Sequence, residues 1–200
     1  MKKLLFSTII LILFSGMNML GQDVQARLDA AKSAYQSGNL EDARFELQEA
    51  LNEINQVIGQ KILEVLPAEM GGMAVDSAGD EITGTAAGYA GLYVTREYLE
   101  GNNNASVQIV ADSPMLASIN ALMALPAFVS TDENQKRVKV SGYKSLMTKD
   151  SDDQGNTSYD IQVPVSNLLL TFSYSGPADE DEVVEMANTI PVDEVVKLAQ

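Results

Sequence analysis

Three groups of residues have the types and spacing that chemistry requires. Asp150, Asp152 and Asp153 stand with Gln154 and Gly155 in the order that opens a calcium loop. Such a loop needs oxygen ligands at its first, third and fifth positions, a glycine at the sixth and a bidentate Glu at the twelfth. Here the fifth position is Gln154 and the twelfth is Ile161, so the ligand set is broken. The stretch predicts a solvated hairpin loop that attracts a cation weakly. Tyr89, Tyr93 and Tyr98 form a second group. Their rings suit a core, and equally a groove for a peptide or glycan. Asp179-Glu180-Asp181-Glu182 is the third. It sits where a helix should begin, and acids there are stabilised by about 0.3–1 kcal/mol each through the helix dipole. That accounts for the run without a metal.

Composition closes off whole classes of chemistry. The 200 residues include no His, no Cys and no Trp. Imidazole bases, thiolate nucleophiles, Ser-His-Asp arrangements and disulfides are therefore excluded. A zinc site would lack every nitrogen and sulfur ligand. The formal net charge of −15 argues against nucleic acid and anionic membrane surfaces as partners. No catalytic, cofactor-binding or metal-binding set is assigned, and no cofactor is expected. With 28 acids, some pair of carboxylates must lie close together. A carboxylate-dependent hydrolase therefore stays open, recognisable by two acids and a Tyr or Lys converging in one pocket. The patterns Asp76-Ser77-Ala78, Asn104-Ala105-Ser106 and Asn156-Thr157-Ser158 match short glycosylation signals and read equally as loop residues.

The elements that would position these residues begin after an export signal. Lys2 and Lys3 precede a mostly apolar run from Leu4 to Phe14, then small residues to Gly21. This is the layout of a signal peptide over residues 1–21, cleaved after Gly21. It predicts a periplasmic or secreted protein with no stable membrane anchor after cleavage. Residues 22–67 then predict a helical hairpin. Val24, Leu28, Ala31 and Tyr35 mark one face of a first helix, and Gly38-Asn39 makes the turn. Leu40, Ala43, Leu47, Ala50, Leu51, Ile54 and Ile58 continue the spacing along a second helix to Leu66, before Pro67. Leu63, Val65 and Leu66 extend beyond what the first helix covers, so this end must bury itself against the next domain or a second subunit.

Composition changes at Pro67–Gly72, the expected domain boundary. Residues 72–200 predict an α+β sandwich: a largely antiparallel sheet covered by helices. Two weak strands are expected at Gly72–Val75 and Ile82–Ala87, then a hairpin of Gly91–Leu99 and Ala105–Ala111 around Gly101–Asn104. A helix follows from Ser113 to Pro126. Single strands are expected at Arg137–Met147, Thr157–Val165 and Asn167–Ser175. Acidic helices close the chain from Ala178.

Two resemblances follow from these patterns. Ala31, Tyr35, Gly38-Asn39-Leu40, Ala43 and Ala50 resemble one tetratricopeptide-type unit. A single unit lacks the neighbours that make a repeat array and its groove. The order of strands and helices over 72–200, with Leu168–Gly176, the acidic helix and Ile190-Pro191-Val192, is similar to the Mog1/PsbP-like fold, an α/β/α sandwich. That resemblance implies a binding or accessory role and transfers no site residue. The expectation is an exported, non-catalytic protein whose hairpin contacts an unknown protein partner or a second copy. The alternative is a carrier holding a small apolar ligand between sheet and helix near Met70–Ala90.

Overall fold

The computed structural model describes residues 19–83, 91–112, 116, 134–151 and 157–200, with side chains from residue 23 onward. Residues 1–18 of the expected signal peptide, Tyr89, Asp152, Asp153 and the helix expected over 113–126, apart from Leu116, lie outside the described residues. The described chain is mixed α+β: helices first, then an antiparallel sheet. Compactness divides it between Val57 and Ile58, inside the second helix and ahead of the compositional break at Pro67–Gly72.

In the first unit, α1 (Met19–Gln36) starts before the expected cleavage point at Gly21. It ends in a Schellman motif: Asn39 N–H donates to Ala34 O and Gly38 N–H to Tyr35 O, with Gly38 at φ 79°. Asn39 then caps α2 (Leu40–Val65) through its side chain to Asp42 N–H. The helices meet on alanines: Ala31, Ala43 and Ala50 are buried. Leu28 and Tyr35, on the same face of α1 as Ala31, stand exposed at the flank of that contact.

In the second unit the sheet runs β1 (Glu69–Met70), β2 (Met73–Thr83), β3 (Leu92–Glu100), β4 (Asn103–Ala111), β8 (Leu168–Ser175), β7 (Thr157–Val165), β6 (Tyr143–Ser151), β5 (Gln135–Val140). Every described pairing is antiparallel. Among the described residues its edges are β1, of two residues, and β5, which carries Lys136, Arg137 and Lys139.

Three sequence expectations are corrected. The two weak strands join as β2, bulged between Asp76 and Glu81. The strand expected at Arg137–Met147 is a hairpin, β5 and β6, turning at Ser141 and Gly142 with φ 50° and 85°. The turn at Gly101 is shorter than expected, since Asn103 and Asn104 already pair with Glu100 and Leu99.

Strict alternation puts Val94, Tyr98, Val107, Ile109, Ile161, Val163, Leu170 and Phe172 on one face. That face is covered by the end of α2 (Ile62, Leu63, Leu66), by α3 (Glu180–Asn188) and by α4 (Val192–Leu198). Gly59 lets α2 approach the sheet: a Cβ there would come within 2.5 Å of Ile82 Cγ2. Asp179 caps α3 in a full capping box with Glu182, which explains the acidic run at this helix start. The β5–β6 turn is fastened to these helices by Ser141 N–H to Asn188 Oδ1, Ser141 Oγ to Ile190 O and Tyr143 O–H to Asp193. Among the described residues no helix is long and apolar enough to cross a membrane.

This division of α2 predicts a sharp contrast along one helix. Ile62→Ala removes a fully buried side chain and should lower unfolding free energy by about 2–5 kcal/mol. Phe45→Ala, at an exposed position, should stay within about 0.5 kcal/mol of wild type. Urea unfolding followed by circular dichroism measures both.

Candidate functional site

The strongest polar constellation forms around the β2 bulge. Alternation places Leu92, Val94, Arg96 and Tyr98 of β3 on the core side, so Arg96 points where an apolar residue would ordinarily stand. It needs partners there, since an unpaired buried charge is expensive. Asp80, swung in by the bulge, accepts two bonds, from Nε at 2.9 Å and Nη2 at 2.6 Å. Nη1 donates to Leu63 O at 2.6 Å, satisfying one of the free carbonyls at the end of α2. Tyr98 O–H donates to Pro67 O at 2.9 Å. The hydrogen bond and charge of Asp80 raise the Arg96 pKa further, so the guanidinium stays charged. Burial pushes the Tyr98 phenol up to about 12, against a smaller opposing pull from Arg96. Asp80 is thus fully engaged as a counter-ion, and the cluster's geometry is that of a clasp.

The sequence candidates separate. Tyr98 is wholly buried on the core face. Tyr93, five residues earlier, lies on the opposite face, where its neighbours in register are Thr83 and Val110. The structure therefore does not bring these two rings into one groove. The same outer face carries Thr95, in register with Gln108, then Thr171 and Gln162 across β4, β8 and β7. Thr95 Oγ1 is buried there without a hydrogen-bond partner. Asp150 is exposed at the end of β6, its carboxylate accepting from Ser151 N–H. Among the described residues no group of three or more Asp or Glu is placed to hold a metal. Met70 and Met73, from the segment considered for an apolar ligand, are packed into the core.

A second constellation lies in the hairpin unit and is apolar. Arg27 of α1 pairs with Glu46 at 3.1 Å and Glu49 at 3.8 Å of α2, closing one side of the hairpin. The helical periodicity then fixes what the other side shows. Leu28 and Tyr35 flank Ala31 on the side of α1 away from Arg27. Leu40, Leu47, Leu51 and Ile54 flank Ala43 and Ala50 on the side of α2 away from Glu46. These six side chains are between 40% and 69% exposed. Periodicity alone runs Leu40, Leu47, Leu51, Ile54 and Ile58 together with Ala43 and Ala50 in one helical stripe. What separates them is residue size, with alanines marking the contact and leucines the flank.

No family model matches the chain, and neither a curated protein nor a solved structure matches it.

The clasp generates two expectations. Arg96→Ala strands Asp80 in a poorly solvated position and should cost about 3 kcal/mol, whereas Asp80→Asn combined with Arg96→Met should recover part of it. Denaturant unfolding of the set measures this. For Tyr98 the folded pKa of about 12 lies above the ordinary 10.0, so the folded state holds the proton more tightly. Stability from this group is complete below pH 10 and is lost as pH rises through 12. Tyr143, bonded to Asp193, and Tyr174, desolvated by burial, shift in the same direction. The decline of melting temperature with alkaline pH should therefore be shallower in Tyr98→Phe, but not absent.

Proposed function

We propose that this chain is an exported, non-catalytic binding or accessory protein that acts through protein–protein contacts in the cell envelope, with the helical hairpin as its contact element. The observation that carries the reading is the exposed face of Leu28, Tyr35, Leu40, Leu47, Leu51 and Ile54. Six half-exposed apolar side chains on one side of two packed helices make a contiguous patch, and such patches mark interaction sites. The export part rests on Lys2, Lys3, the apolar run to Phe14 and Gly21. The resemblance of residues 72–200 to Mog1/PsbP-like domains, drawn from the order of elements in the sequence, points the same way, since that mixed family includes binding and accessory proteins.

Site-specific photocrosslinking in intact cells tests the reading. A photoreactive residue at position 51 should give a discrete protein adduct in the envelope fraction. The same residue at position 26, on the outward side of α1, should give none. No adduct from position 51, or equal labelling from both positions, overturns it.

A further inference from the structure

We infer that the occupant of the hairpin's exposed apolar face is a second copy of this chain, packed through a two-fold axis as a four-helix arrangement. This rests on the contact role proposed above and names the partner.

The spacing on α2 is the first ground. Leu40, Leu47 and Ile54 recur every seven residues, and Leu51 falls four after Leu47 and three before Ile54. A repeat of this period keeps one seam turned toward a single long helical partner. The seam is also self-complementary. When two copies of α2 run antiparallel about an axis near residue 49, Leu47 of each meets Leu51 of the other. A contact of this kind uses the same patch on both copies and closes after two. Arg44 selects the direction. A parallel pairing would set Arg44 against its own counterpart at the seam, and like charges there repel. The antiparallel pairing separates the two by about ten residues, roughly 15 Å of helix.

Area is the second ground. The six exposed side chains present on the order of 400 Å² of apolar surface per copy. Homodimer interfaces are about 65% apolar. Two such faces therefore correspond to an interface of roughly 1,200 Å² in total, the lower end of what specific complexes bury. Leu28 and Tyr35 of α1 contribute to it, so the whole hairpin and not α2 alone takes part. Arg27, Glu46 and Glu49 stay on the far, solvated side.

Sedimentation equilibrium of the purified full chain over a wide dilution series provides the test. Wild type should sediment as a dimer in reversible exchange with monomer. Leu47→Glu combined with Leu51→Glu places charges on both sides of the proposed axis and should raise the dissociation constant by roughly a hundredfold or more. Both positions are exposed in the single chain, so the far-ultraviolet circular dichroism of the variant should match wild type. Phe45→Glu, exposed but outside the seam, controls for added charge and should remain dimeric. A wild-type chain that stays monomeric throughout, or a double variant that dimerises as tightly as wild type, overturns the inference. If purified wild type is monomeric while position 51 still captures a different protein in cells, the second copy is refuted and the contact role survives. If neither occurs, both fall.

Discussion

Arg96 joins three segments with one guanidinium: the strand that carries it, the β2 bulge through Asp80, and the end of α2 through Leu63 O. The charge is costly to bury, and every polar hydrogen placed on these partners reduces that cost. The arrangement fixes more than energy. The bulge is held in one register because Asp80 must reach Arg96. The last turn of α2 is held over β3 because its carbonyl is taken. Tyr98 repeats the tie one step further, to Pro67 O. Ile62, Leu63 and Leu66 enter the sheet's core from a helix end fixed in this way.

The two units make opposite use of small and large side chains. In the hairpin, alanines form the contact and leucines stand beside it. In the sheet unit, large residues such as Tyr98, Phe172 and Ile109 fill the interior, and the one small residue that matters in the helix is Gly59, where α2 passes Ile82. A helix pair that meets on alanines buries little apolar area. A sheet covered by helices buries much more.

Much of this architecture was legible in the residues. The helical spacing, Gly38 and Pro67 delimited α1 and α2, the alternation in β3 and β4 gave strands, and the short turns between neighbours gave an antiparallel sheet. The β5–β6 turn was missed because Val138, Val140 and Tyr143 read as one strand when Ser141-Gly142 is passed over, and Ser141 is a residue that seldom takes a positive φ. The β2 bulge was missed because its reason lies sixteen positions away at Arg96. The signal was nonetheless present: a cation on the inward phase of an otherwise apolar alternation demands an acid from elsewhere in the chain. Pairing of the tyrosines was suggested by nearness in sequence. An odd spacing sends Tyr93 and Tyr98 to opposite faces. The face of Leu47 and Leu51 was recognised as apolar, but periodicity alone does not say which of two adjacent stripes a neighbouring helix takes.

The edges of the sheet bear on how this chain behaves at high concentration. An open strand edge is a template for another molecule's backbone, and runaway pairing along it leads to fibrils. Here β1 has only two residues, and the exposed flank of β2 is broken by the bulge. At the other end β5 sets Arg137 and Lys139 along its short length, with Lys139 directly opposite Lys144, while Lys136 pairs with Glu180 at 2.8 Å. Like charges facing each other across a ladder weaken that hairpin. The same charges repel an incoming copy of the strand, so stability is given up locally for protection against edge-to-edge polymerisation.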